Sequence, residues 1–107
     1  MDYYLMVAIR EALAALGTRE ALAVLEAELT PKNANHTLRN VQLLAEYGDA
    51  KSLTLLTALV KDKAYPTTMR RIFHRSVWLL NNHLFPSQKK KYVRFDKDDY
   101  YYDDSVE

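Results

Sequence analysis

The chain has 107 residues, with 15 basic side chains against 14 acidic ones, a formal charge of +1, and no cysteine. That balance excludes a whole-molecule field steering it to nucleic acid or membrane, and the missing thiols exclude disulfides and thiolate metal sites. Apolar residues make up 49% of the chain, enough for one domain with a modest core.

No apolar run approaches the ~20 residues that a membrane span needs. The opening MDYYLMVAIREALAAL is apolar but lacks a basic leader and carries Asp2, Arg10 and Glu11. It reads as a helix and not as a signal peptide. A cysteine-free chain without such a signal fits the cytoplasm.

Glycine occurs only at 17 and 48, and proline only at 31, 66 and 86. All five close apolar-periodic segments, which predicts an all-α chain. The first helix is predicted over residues 2–16, with Leu5, Ile9, Leu13 and Leu16 as its buried stripe. Gly17 ends it in the left-handed conformation. Thr18 caps a second helix running to residue 29, whose apolar set is Ala21, Leu22, Val24, Leu25 and Leu29. Thr30-Pro31 stops it, because the residue before proline is pushed out of helical geometry.

After a polar connector, Asn35 or Thr37 is expected to cap a third helix that continues to residue 47. Leu38, Val41, Leu44 and Ala45 form its main stripe, and Leu43 and Tyr47 a second apolar side. Two such sides suit a helix packed between neighbours. Gly48 ends it, and Asp49 caps a fourth helix over about residues 50–60. A fifth helix, capped by Thr67 or Thr68, is predicted to run to residue 83 or 84. Pro86 closes the folded part. Residues 1–86 are thus read as a helical domain and residues 87–107 as a charged, aromatic tail that caps it or stays solvated.

The segment 7–29 overlays 38–60 without a gap, at an offset of 31 residues. Gly17 falls on Gly48, Leu13 on Leu44, Leu22 on Leu53, Leu25 on Leu56 and Leu29 on Val60. A fixed period of this size marks repeated helical units, each too small to bury its own apolar face. Tight Gly-centred turns make two antiparallel hairpins, and stacking one on the other buries what each leaves open.

These residues resemble the short HEAT-like repeats of phycobilin-lyase-related proteins. The matching positions are Ala15-Leu16-Gly17, Tyr47-Gly48-Asp49, Leu56 and Asp62, with Arg10 and, less closely, Arg39 at the repeat's arginine. The resemblance covers about residues 7–62, with a degenerate third unit starting near Met69. Thr18 departs from the usual turn aspartate, and Trp78-Leu79 stands where a third glycine belongs. The resemblance implies an α-solenoid of about two and a half hairpins, with about five helices. Similar repeats serve as scaffolds, adaptors, chromophore-lyase subunits and a few DNA-repair enzymes, so no catalytic residue carries over.

The fifth helix has the most unusual surface. Met69, Ile72, Phe73, Val77 and Leu80 are expected to face the core. Arg71, His74, Arg75, Trp78 and Asn82 recur at steps of three and four on the other side. Tryptophan and arginine are enriched in binding hot spots, so this set is the expected partner-binding site. A packed Trp78 under arginine stems is the alternative. Arg70 with Lys89, Lys90 and Lys91 could contact phosphate, making nucleic acid the second expected partner class. The acidic, tyrosine-rich stretch 96–104 complements the cationic face and is expected either to cover it or to remain solvated.

The inner surface of a stack would expose Arg19, Glu26, Lys51, Thr54, Thr57 and Lys61. Asp62 is expected to bond the first amides of the fifth helix or to pair with Arg70 or Arg71. His36, His74 and His83 form no metal-ligand spacing, and the tail aspartates lack a calcium-loop pattern. No phosphate loop, nucleophile elbow or acid/base pair is present. The sequence therefore predicts a protein-binding scaffold rather than an enzyme, without metal or cofactor, and open to homo-oligomerisation through an uncapped end.

Overall fold

In the computed structural model, residues 3–92 and residue 95 are described. Five helices follow in order: α1 (Tyr3–Leu16), α2 (Arg19–Ala27), α3 (Ala34–Tyr47), α4 (Ala50–Val60) and α5 (Thr67–Leu84). Among the described residues a 3-10 turn, Pro86–Gln88, comes after them. The described residues contain no strand, so the fold is all-α. None of their helices is long and apolar enough to cross a membrane.

Helix α3 is central and touches each of the other four. The densest packing is of α5 against α4 and α3, with α1 and α2 meeting each other and α3 more lightly. Leu22 and Leu25 of α2, Val41 and Leu44 of α3, Leu56 of α4, and Phe73 and Leu80 of α5 are fully buried. Each such side chain contributes roughly 1.5–3 kcal/mol of burial. Tyr65, in the connector before α5, closes one end with its ring edge-on to Phe73 at 5.0 Å.

The first helix departs from its expected stripe. Leu5, Ile9 and Leu16 are 51%, 43% and 68% exposed, whereas Ala14 is fully buried. Met6, Val7, Arg10 and Leu13, half-buried, complete the inward side. A small Ala14 lets α1 approach closely, and Arg10 must turn inward to reach Glu28, so the bulkier aliphatic stripe faces out. Val24 of α2, also expected inside, is 47% exposed.

Capping explains most boundaries. Thr18 Oγ1 accepts from the Ala21 amide as expected. Asp49 and Ser52 form a reciprocal capping box at α4. At α3 the cap is Asn33, not Asn35 or Thr37: its Oδ1 accepts from the His36 amide at 3.1 Å. Thr37 is buried and staples the connector instead, donating to the Thr30 carbonyl at 2.7 Å and accepting from its amide at 2.9 Å. At α5 the cap position is Pro66, with no side-chain bond, and Thr67 already lies in the helix. Asp62 neither caps α5 nor forms an ion pair with Arg70 or Arg71 among the described residues. Its carboxylate accepts from the Ala64 amide at 2.9 Å and folds the connector.

The two aligned glycines do different work. Gly17 has φ +66°, a conformation that penalises any Cβ. Gly48 has an ordinary φ of −67°. Its constraint is space, because a Cβ there would lie 2.5 Å from the Leu44 carbonyl oxygen and 2.8 Å from Ser52 Cβ.

Two polar knots tie the helices across this frame. In the first, Arg10 grips Glu28 with Nε at 2.8 Å and Nη2 at 2.9 Å. Asn40 Nδ2 donates to Glu28 Oε1 at 2.8 Å and to the Leu25 carbonyl at 3.0 Å. His36 Nε2 lies 3.3 Å from the same carboxylate oxygen. The hydrogen bond from Arg10, helped by Asn40 and His36, outweighs burial and holds the Glu28 pKa down at about 2, against an ordinary 4.5. In the second knot, Arg19 bridges Glu26 and Asp49, the latter at 2.7 Å. Ser52 Oγ donates to Glu26 at 2.6 Å. Burial would raise the Asp49 pKa, but the amides of Ser52 and Lys51, the Ser52 hydroxyl and the Arg19 charge together keep it below its usual value. The Arg19 pKa is raised, chiefly by its hydrogen bond to Glu26.

Two outcomes are expected. Gly48→Ala should destabilise by about 1–3 kcal/mol through overpacking, and Gly17→Ala by about 1–2 kcal/mol through its left-handed backbone; urea unfolding of both variants measures this. Because the Glu28 pKa is depressed on folding, its contribution is full above pH 4.5 and is lost as pH falls toward 2. With the carboxylate 32% exposed, solvent screening limits that contribution to about 1–2 kcal/mol. Glu28→Gln should therefore narrow its stability gap to wild type as the pH is lowered through this window.

Candidate interaction site

Helix α5 presents two different flanks. Its apolar residues Met69, Phe73, Val77 and Leu80 face the core. On one side of them the chain that follows α5 returns along the helix. The Pro86–Gln88 turn reverses direction, and Lys90 is then fixed through its backbone. Its amide donates to Asn82 Oδ1 at 2.9 Å, and its carbonyl accepts from Asn82 Nδ2 at 3.2 Å and from Trp78 Nε1 at 2.8 Å. Tyr92 then packs edge-on to Trp78 at 5.1 Å and tilted against His74 at 5.2 Å. Phe95 is buried 5.7 Å from the His74 ring, with the Arg70 guanidinium 5.6 Å from its centroid.

This strap redistributes the residues that the sequence groups together. His74, Trp78 and Asn82 do meet, but as the seat of the strap. His74 is fully buried and Trp78 and Asn82 are half-buried. Arg71 stays exposed, and Arg75 leans to the opposite flank. The physical reason is that the two stand at opposite edges of one arc: His74 is on the edge where Tyr92 and Phe95 return, and Arg75, about 100° further round, is on the edge that borders α3. Arg70, grouped with the phosphate contacts, is only 7% exposed because Phe95 covers it. The side chains of Lys89 and Lys91 are exposed. The acidic stretch 96–104 lies outside the described residues.

The other flank of α5 forms a groove with α3, of about 570 Å³. Gln42, Ala45 and Glu46 line one wall, and Ile72, Arg75, Ser76, Leu79 and His83 the other. The floor is made apolar by small residues. Ala45 and Ser76 are 8% and 4% exposed, and the Ser76 hydroxyl is spent on the Ile72 carbonyl at 2.8 Å. Ile72, expected in the core, is half-buried here, and Leu79 is 41% exposed. Gln42, Glu46, Arg75 and His83 form a polar rim. Neither Arg75 nor Glu46 is in an ion pair among the described residues.

A smaller cavity, about 270 Å³, lies between α1 and the start of α3, with Arg10, His36, Arg39 and Asn40 in its lining. Both arginines are already paired there, Arg10 with Glu28 and Arg39 with Glu11 at 2.7 Å. Among the described residues no cluster of His, Asp and Glu is placed to hold a metal ion. The expected inner-surface set is divided as well. Arg19 and Glu26 are used in the second knot, Lys51, Thr54 and Lys61 are exposed, and the Thr54 and Thr57 hydroxyls bond back to carbonyls of their own helix.

Set against models of known protein families, curated proteins and solved structures, the chain matches none.

The groove escapes sequence reading because Ile72 and Ala45 look like core and Ser76 like a neutral filler. The signal present is the run Ile72, Ser76, Leu79, His83 at steps of four, three and four, which places one polar-ended stripe beside the core stripe.

The strap is expected to depend on its backbone clamp. Asn82→Ala removes both bonds to Lys90 and should cost about 1–2 kcal/mol. It should also speed tryptic cleavage after Lys89, Lys90 and Lys91 relative to wild type, as followed by mass spectrometry under native conditions.

Proposed function

We propose that this chain is a protein-interaction module of the scaffold or adaptor kind, a short stack of HEAT-like hairpins that binds a partner in the α3/α5 groove. The gap-free repeat, the serial packing of α1, α3 and α5, and the Arg19–Glu26–Ser52 bridge between the two units support the stacked reading. The observation that carries the binding reading is the groove itself. An exposed Leu79 stands over a floor of small buried residues, inside a rim of mixed charge. Apolar floor and polar rim are the anatomy of a recognition site. The reading is of binding, with Glu46, Arg75 and His83 on the rim as polar contacts for the partner.

The occupant that suits a trough between two helices is an amphipathic helix of another protein. Apolar residues three or four apart would lie over Ile72 and Leu79. Arg75 and Glu46, on opposite walls, would set its direction through an acidic and a basic residue at its edges.

The reading is tested by selecting displayed helical peptides on the intact chain and mapping the bound peptide by amide chemical shifts. Shifts should concentrate on residues 42–46 and 72–83. Leu79→Asp should weaken binding at least tenfold while leaving the melting temperature within a few degrees. Shifts confined to Lys89–Lys91, with single-stranded nucleic acid binding that falls steeply with salt and ignores Leu79→Asp, would replace this reading with nucleic-acid binding.

A further inference from the structure

We infer that α1 is a self-association face, through which two copies of the chain pair antiparallel about a two-fold axis. This surface is separate from the α3/α5 groove and does not depend on what that groove binds. Leu5, Ile9, Ala12 and Leu16 lie on one side of α1 and are all exposed. Their spacings of four, three and four residues are those of a helix–helix seam. The sequence marks most of this stripe as buried, yet within one chain nothing among the described residues covers it.

The stripe is complementary to itself. In an antiparallel pair centred between residues 10 and 11, Leu5 faces Leu16 of the second copy, and Ile9 faces Ala12. Large residues meet at both ends, and large meets small at the centre. Ala8 and Ala15 flank the seam, so the helix axes can approach to about 8 Å. A parallel pair would set Ala12 on Ala12 and leave a gap at the middle.

Charge favours the same occupant. Between Tyr3 and Leu16 the only charged residues are Arg10 and Glu11. Each already has a partner in its own chain, Arg10 with Glu28 and Glu11 with Arg39. Pairing two α1 helices therefore strands no lone charge. An isologous contact of this kind closes on itself and gives a dimer, not a filament.

The contact is small. Fourteen residues make a helix about 21 Å long, and one such pair buries less than the ~1,200 Å² of a standard stable interface. A contact of that size is typical of reversible association, so the dimer is a reversible one.

Sedimentation velocity from about 1 to 500 µM tests this. Wild type should move from monomer toward dimer across that range. Ile9→Lys and Leu16→Lys should remain monomeric at every concentration, with melting temperatures unchanged at low concentration because both side chains are exposed in the monomer. The absence of native cysteine makes the register readable. Mixed Leu5→Cys and Leu16→Cys chains should form the 5–16 disulfide several-fold faster than either variant cross-links to itself. A wild type that stays monomeric throughout overturns the inference, as does a dimer that survives both lysine variants. Preferential 5–5 and 16–16 cross-links overturn the antiparallel register. Binding of monomeric wild type to phosphatidylcholine/phosphatidylglycerol vesicles, lost in Leu16→Lys, would assign the face to a lipid surface instead.

Discussion

The Glu28 carboxylate joins three helices, and the placement of the N-terminal hairpin follows from it. It stands just past α2, receives both arms of Arg10 from α1, and accepts from Asn40 of α3. The apolar contribution of α1 is slight, since Ala14 is its one fully buried side chain. Packing of that size cannot by itself fix the angle of a fourteen-residue helix. A bidentate guanidinium–carboxylate pair can, because its two parallel bonds define a plane as well as a distance. Asn40 extends the constraint by holding the Leu25 carbonyl with the same amide nitrogen. The second knot, at Arg19, Glu26, Asp49 and Ser52, does for α2 and α4 what the first does for α1 and α3.

The other half of the molecule is built on a different principle. Helices α3, α4 and α5 enclose most of the large buried side chains, and α5 is engaged on two of its sides. Its apolar stripe enters the core. One flank carries the returning strap through Trp78 and Asn82, and the other flank borders the groove. The groove walls are thus held from behind on both sides. A binding surface backed by packed helix loses little conformational entropy when it is filled. The strap, seated on the side of α5 away from the groove, matters to the groove for this reason.

Much of this was legible in the residues. Period, glycine and proline placement give five helices with boundaries close to those observed, and Thr18 and Asp49 as caps follow from their positions. What sequence periodicity could not separate is inside from outside on a helix with two apolar sides. Leu5, Ile9 and Leu16 form a stripe as regular as any core stripe, and only the inward pull of Arg10 decides that Ala14 faces in. Arg71, His74, Arg75, Trp78 and Asn82 fit a single surface by spacing, yet a chain segment from beyond the helix claims three of them. Such a decision depends on tertiary docking, which has no local signature. Asn33, Thr37 and Asp62 show the same limit at smaller scale. Several capping residues were available near each connector, and the path of the connector selected among them.

The strap has one consequence for how this molecule is watched. The chain holds a single tryptophan, and its indole is the rivet between α5 and the returning segment. Tryptophan emission therefore reports the loosening of that joint and is blind to the Glu28 end, about which Tyr3 and Tyr4 of α1 and the backbone signal must speak. A fluorescence melt and a circular-dichroism melt of this chain view different ends of one object, and any gap between their midpoints is a direct reading of how tightly its two halves cooperate.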